Sequence, residues 1–95
     1  MNQSLETYQR YVRARDVVFS EIEGEFVALN IDRGQCYGMD SIASRVWRIL
    51  ETPHSLEDIC KTLRNEYAVD HDSCRADVAS LLRAMTDEAL VTTQG

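Results

Sequence analysis

The chain is short of the residues that would indicate secretion, a membrane span or a nucleic-acid-binding surface. Its 95 residues contain no run near the roughly 18 apolar residues that a membrane helix needs, and the polar N-terminus lacks the apolar core of a signal peptide. Basic residues are scarce, with ten Lys and Arg against sixteen Asp and Glu, and the net charge of −6 disfavours nucleic acid and anionic membranes as partners. We therefore expect one soluble, cytoplasmic domain over residues 1–95, with a flexible segment over residues 1–11.

Residues that carry catalysis or bind metal are also few. The three cysteines, Cys36, Cys60 and Cys74, form no C-x-x-C pair, and their odd number is typical of reduced thiols. Only His71 lies near one of them in sequence, and two ligands fall short of the four that zinc usually takes. No catalytic Ser/His/Asp or Cys/His arrangement stands at an informative spacing, and the four isolated glycines form no phosphate-binding loop. The sequence predicts a binding module that is not an enzyme and has no cofactor and no metal.

The first half of the chain shows the pattern of short strands joined by turns. Gly24 and Gly34 mark two turns, since glycine readily adopts the positive φ that tight turns require. Between them Val27, Leu29 and Ile31 alternate with smaller or polar residues, a period of two that is typical of a half-buried strand. The pattern predicts a three-stranded antiparallel meander between residues 17 and 39.

After residue 40 the apolar spacing becomes helical, and capping residues divide the segment into three helices. The first helix is predicted to begin at Asp40 or Ser41 and to stop before Pro53. The second is predicted to begin at the capping box of Ser55 and Asp58. The third is predicted to begin near Asp70 or Asp72 and to end at about Glu88. Three strands followed by three helices predict an α+β fold of winged helix-turn-helix type.

The aromatic residues favour packing over chemistry. Trp47 lies on the apolar face of the first predicted helix, which indicates a core residue rather than a ligand platform. Tyr37 and Met39 share one face of the third predicted strand, and the sequence leaves open whether they pack in the core or recognise a partner.

A helix-turn-helix layout raises the possibility of DNA binding, which the charges oppose. The helix that would enter the major groove, residues 70–88, has two Arg against five acidic residues. A groove-binding helix needs several basic side chains on one face to neutralise phosphates. We therefore expect no nucleic-acid partner, and a winged-helix DNA-binding protein is a minor alternative.

The order of these patterns resembles the PqqD-like family, the recognition elements for the precursors of ribosomally synthesised and post-translationally modified peptides (RiPPs). Residues 26–40, FVALNIDRGQCYGMD, are similar to the strand-turn-strand of that family, and residues 41–50, SIASRVWRIL, to its first helix. The details of residues 37–40 and 46–47 most resemble the stand-alone recognition protein of lasso-peptide gene clusters. Asn30, where an acidic residue is common, and Met39, where Leu is usual, depart from the pattern.

The resemblance implies a non-catalytic adaptor that binds the leader of a precursor peptide and presents it to a processing enzyme. For lasso peptides the implied partners are a cysteine-protease-type leader peptidase and the ATP-dependent cyclase that follows it. A PqqD-like carrier that serves a radical modifying enzyme is the main alternative. An acidic protein-interaction domain unrelated to peptide modification is a third.

The implied site lies between the third strand and the last helix. The strand would be a sheet edge whose unpaired backbone groups bind an extended leader. Helical phasing nominates one flank of the last helix as the other wall, with the flank of Asp77, Ser80 and Ala84 as the alternative. The predicted leader-binding residues are Gln35, Cys36, Tyr37, Gly38 and Met39 on the strand, and Arg75, Ala79, Leu82, Arg83 and Thr86 on the helix.

Overall fold

A computed structural model describes residues 9–94 as six strands and three helices. In chain order these are β1 (Arg10–Arg13), β2 (Val17–Ile22), β3 (Glu25–Asn30), β4 (Gln35–Gly38), α1 (Ser41–Ile49), β5 (His54–Ser55), α2 (Leu56–Glu66), α3 (His71–Asp87) and β6 (Val91–Gln94). No helix in this part of the chain is long and apolar enough to cross a membrane.

The predicted meander is confirmed as the antiparallel sheet β2-β3-β4, and three helices follow it. Glu23 and Gly24 both have positive φ, at 52° and 86°, as a two-residue hairpin turn that matches the twist of its strands requires. The α+β prediction of a three-stranded sheet with three helices is therefore correct.

The face of β3 that packs against the core is not the face that its apolar alternation favours. Phe26, Ala28 and Asn30 are buried, whereas Leu29 and Ile31 are exposed. The inward residues are fixed by long-range hydrogen bonds: the Phe26 amide donates to Ser44 Oγ in α1, and Asn30 Nδ2 donates to the Glu88 carbonyl oxygen. Strand period alone thus identified the strand and missed which face is buried.

The helix boundaries follow the predicted caps. The Asp40 side chain accepts from the Ala43 amide at the start of α1, and the Asp70 side chain accepts from the Ser73 amide at the start of α3. Ser55 and Asp58 form the complete capping box of α2. Because each cap satisfies amides that have no partner within the helix, local sequence defines where these helices begin.

A second sheet, β5-β1-β6, was not predicted. In it β1 lies in the centre, and Tyr11 is opposite both His54 of β5 and Thr93 of β6. Arg10 and Tyr11, which belong to the segment expected to be flexible, thus lie in a paired strand, and residues 1–8 of that segment lie outside the described residues. The chain enters β6 through a Schellman motif, in which the amides of Ala89 and Leu90 donate to the carbonyls of Thr86 and Met85.

The core lies where the three helices meet both sheets, and Trp47 is at its centre. The Trp47 side chain is fully buried, and the Phe19 ring packs edge-on against it with 5.4 Å between centroids. Arg13 of β1 joins the second sheet to this cluster, because its Nε donates to the Trp47 carbonyl oxygen at 2.8 Å and its guanidinium lies over both rings. The prediction that Trp47 is a core residue is confirmed.

Candidate functional site

β4 is an edge strand with a row of unpaired backbone groups. It pairs with β3 on one side, and no other strand among residues 9–94 pairs with its outer side. The Met39 amide donates to the Phe26 carbonyl oxygen at 2.9 Å, which fixes the alternation along the ladder. Since successive amides of a strand point to opposite sides, the amides of Gln35 and Tyr37 point to β3, and those of Cys36 and Gly38 point away from it.

The end of this ladder is closed by a buried serine. Ser44 Oγ accepts from the Phe26 amide at 3.0 Å and donates to the Met39 carbonyl oxygen at 3.3 Å. It thus replaces the second hydrogen bond that Phe26 and Met39 would otherwise exchange. This contact anchors β4 to both β3 and α1, so the free edge is held on a rigid support.

The side chains of β4 divide between the two faces of the sheet. Tyr37 is half-buried and Met39 is buried on the inner face, whereas Cys36 is exposed on the outer face. The Tyr37 hydroxyl donates to Gln35 Oε1 at 2.6 Å. It also lies within reach of the Glu88 carboxylate, which raises the pKa of Tyr37 because the protonated hydroxyl can donate to that charge.

Glu88 brings the end of α3 next to β4. Its carbonyl oxygen accepts from Asn30 Nδ2 at 3.2 Å, and its carboxylate lies 3.9 Å from the Arg33 guanidinium in the β3–β4 turn. Leu81 stands two helical turns before Glu88 on the same flank, and it is half-buried against the core. Glu88, the cap residue of α3, therefore lies next to the inner side of β4, and helical phasing places Leu81 and Ala84 on the flank of α3 that leads to it.

The predicted helix wall lies on the other side of α3. Arg75 forms an ion pair with Glu57 of α2. Ala79, Arg83 and Thr86 line a cleft of about 220 Å³ together with residues of β1, α2 and β6. Leu82 is buried in the core. The contacts of these five residues are thus with α2, the core and the second sheet. Helical phasing places the alternative flank of Asp77, Ser80 and Ala84 on the side of α3 that leads to Glu88.

The rotation of α3 follows from what is packed behind it. Its buried stripe consists of Cys74, Val78, Leu82 and Met85. That stripe leaves two flanks, and the unpredicted second sheet occupies the space beside one of them. Glu88 and Leu81 could have been assigned to the β4 side only with knowledge of that sheet.

The buried Cys60 thiol is unsuited to nucleophilic chemistry. Burial raises the pKa of the Cys60 thiol to about 11, and the neighbouring Cys74 thiol adds to the effect. A thiol with this pKa remains protonated at neutral pH, and the thiolate is the reactive species. Within residues 9–94 no group of three or more His, Cys, Asp or Glu side chains is placed to hold a metal ion.

The chain resembles known proteins over most of its length. A family model described as coenzyme PQQ synthesis protein D (PqqD) matches residues 25–91. The structure of TbiB1 in complex with the TbiA(beta) leader peptide superposes with a TM-score of 0.79 and 31% identity, covering 84% of this chain and 93% of that chain. No curated protein matches the chain in sequence.

A second solved structure supports the same fold. Lasso peptide synthetase B1 complexed with its leader peptide superposes with a TM-score of 0.74, covering 86% of this chain and 96% of that chain. At 20% identity this likeness shows the shared architecture alone. The family match spans well over half of the chain and includes β3, β4 and all three helices. The chain therefore belongs to the PqqD family, as a non-catalytic PqqD-like RiPP recognition element.

Proposed function

We propose that this protein binds the leader of a ribosomally made precursor peptide by adding it as a strand to β4, and presents the precursor to a leader peptidase in lasso-peptide maturation. The observation that carries the proposal is the free edge of β4, where the amides of Cys36 and Gly38 point away from β3. An edge of this kind gives backbone hydrogen bonds to any extended peptide, and side-chain pockets supply the specificity. The similarity to TbiB1, which was solved with a leader peptide, supports this assignment.

The leader's side chains would alternate between the two faces of the extended sheet. Those on the inner side would lie between Tyr37 of β4 and the Leu81–Glu88 flank of α3. Leu81 supplies an apolar contact, and the hydroxyl of Tyr37 and the carboxylate of Glu88 supply polar ones. Among the predicted binding residues, this retains Gln35, Cys36, Tyr37, Gly38 and Met39 and replaces the helix set.

The remaining partners follow from the adaptor role. A cysteine-protease-type peptidase would cut the presented precursor, and an ATP-dependent cyclase would act on the released core. The match to coenzyme PQQ synthesis protein D favours a second candidate, a peptide carrier for a radical modifying enzyme. A reconstituted reaction distinguishes the two, because only one of these enzymes would require this protein to act on its precursor.

The first test is titration of the fluorescently labelled leader of a precursor identified in the genomic neighbourhood of this gene. We expect saturable binding with a Kd in the micromolar range or tighter, which corresponds to about 8 kcal/mol. No metal or nucleotide is added. The absence of saturable binding below roughly 100 μM would contradict leader recognition.

The strand-addition step is tested by proline at Cys36. Cys36→Pro removes an outward amide and no hydrogen bond to β3, whereas Tyr37→Pro removes an amide that points to β3 and weakens the sheet itself. We expect folded Cys36→Pro to lose leader binding, and the matched Cys36→Ala, which keeps the amide, to bind as the wild type does. Circular dichroism and a thermal melt establish that each variant is folded.

A peptide-side experiment does not depend on the folding of any variant. Leaders with a single N-methylated amide are titrated against the wild-type protein, with the methyl group moved one residue at a time. A leader paired with β4 loses affinity at every second position, because alternate amides point toward the strand. A flat profile, or normal binding by folded Cys36→Pro, would show that the leader binds elsewhere.

A further inference from the structure

The outer face of the sheet β2-β3-β4 is an uncovered aliphatic surface. Val18, Ile22 and Ile31 are 53%, 58% and 62% exposed, and Leu29 is 37% exposed. Val18 lies opposite Leu29 in the β2–β3 register, so these side chains are neighbours across the strands. We call the following five residues the outer aliphatic face: Val18, Ile22, Val27, Leu29 and Ile31.

This face departs from the usual pattern of an antiparallel sheet. Such sheets commonly place apolar residues toward the core and polar residues toward water. Here β3 turns Phe26, Ala28 and the polar Asn30 inward, and its aliphatic residues Val27 and Leu29 outward. Exposed aliphatic side chains add no burial energy to the isolated fold, whereas contiguous exposed apolar patches mark interaction surfaces.

The charges around the face define its partner. Four carboxylates stand beside it at the strand ends, and none of them forms an ion pair with another residue in the 9–94 segment: Asp16, Glu23, Glu25 and Asp32. They outnumber the two basic neighbours, Arg15 and Arg33, and Arg33 is already drawn to Glu88. A second copy would bring the same acidic rim and its own net charge of −6 against this one. The complementary surface therefore has an aliphatic centre and a rim of Lys or Arg.

We propose that the outer aliphatic face is the docking surface for the enzyme that processes the precursor, and that docking does not require the leader. This inference rests on the proposed function. The face spans two neighbouring strands, about 5 Å apart, and about 14 Å along β2 from Val18 to Ile22, so it forms the apolar centre of an interface whose acidic rim adds the rest. It lies on the opposite side of the sheet from the Tyr37–Glu88 side of β4. Enzyme and leader can therefore be bound together.

The test measures two affinities for each variant. A leader peptidase identified in the genomic neighbourhood is titrated by calorimetry against the leader-free protein, and the fluorescent leader is titrated in parallel. We expect the double variant Ile22→Lys/Ile31→Lys to weaken enzyme binding by about tenfold or more, with leader affinity within about twofold of wild type. The matched control is Val69→Lys, since Val69 is an exposed aliphatic residue outside the face, and it should bind both partners normally.

The acidic rim is tested separately. Charge reversal by Glu25→Lys/Asp32→Lys should weaken enzyme binding and reduce its dependence on salt, because fewer ion pairs remain to be screened.

Each contrary result is distinct. Two results overturn the docking surface and leave the proposed function standing, provided that the wild type binds the leader normally. In the first, the wild type does not bind the enzyme; in the second, the wild type and the double variant bind it equally. Absence of leader binding by the wild type contradicts the proposed function itself. A concentration-dependent dimer in sedimentation equilibrium that the double variant abolishes would assign the face to a second copy of this chain and overturn the proposal.

Discussion

The two sheets of this protein differ in how they are built and in what they leave open. The sheet β2-β3-β4 consists of consecutive segments joined by tight turns, and it presents a free edge at β4 and an uncovered outer face. The sheet β5-β1-β6 joins segments far apart in the chain, and it lies beside the flank of α3 that contains Ala79 and Arg83. The second sheet therefore packs beside α3, whereas the first sheet supplies the surfaces that a partner can reach.

The largest effect is expected at Trp47, where the two sheets meet. Trp47→Ala removes a fully buried side chain that contacts Phe19 of one sheet and Arg13 of the other. We expect a loss of about 3–5 kcal/mol in the free energy of unfolding, measured by urea denaturation with circular dichroism. Trp47→Phe is the control, because the indole Nε1 has no hydrogen-bond partner within residues 9–94 and a ring is retained. Equal losses in both variants would show that ring packing is not what joins the sheets.

The next largest effect is expected at Ser44, which anchors the sheet β2-β3-β4 to α1. Ser44→Ala leaves the Phe26 amide and the Met39 carbonyl oxygen without their buried partner, so we expect a loss of about 2 kcal/mol. The β4 edge should also become less ordered, and leader affinity should fall with it. The control is Ser41→Ala in the same helix, since Ser41 is exposed and makes one long contact to Glu25. A Ser44→Ala protein as stable as Ser41→Ala would contradict the anchoring role of this hydroxyl.

The two flanks of α3 give the third comparison. Leu81→Gln places a polar group on the flank that leads to Glu88, and we expect leader affinity to fall about tenfold. Because Leu81 also packs against the core, a thermal melt must first show that the variant is folded. Arg83→Glu alters the flank next to the second sheet, and we expect an effect of less than about threefold, since exposed charges contribute little. Fluorescence titration of the labelled leader measures both. The reverse order of effects would restore the helix wall that the sequence alone predicted.

The sequence predicted the locally determined parts of the fold. Turns at Gly24 and Gly34 and caps at Asp40, Ser55 and Asp70 depend on residues a few positions apart, so single-sequence patterns contain them. The second sheet depends on pairing between residues about 80 positions apart, such as Tyr11 with Thr93. Strands of two to four residues have too few alternations to be recognised.

The candidate site also has a part that depends on local sequence and a part that depends on distant contacts. The edge at residues 35–39 was predicted because the β3–β4 hairpin is local. The buried face of β3 depends on Ser44 and Glu88, which are distant in sequence, and so does the rotation of α3. A polar residue such as Asn30 gives no signal of burial unless its distant hydrogen-bond partner is known.

The smallest expected effect lies where α3 ends and the chain enters the second sheet. Ala89 has a φ of 61° in the Schellman motif, a left-handed conformation that favours glycine. Ala89→Gly should therefore stabilise the protein by about 0.5–1 kcal/mol. The same substitution at Ala84, an exposed position inside α3, should destabilise it by about 1 kcal/mol because glycine is a poor helix former. Chemical denaturation of the two variants should give shifts of opposite sign. A loss of stability in both would show that Ala89 is not held in the left-handed conformation in solution, and that the turn from α3 into β6 differs from the one described.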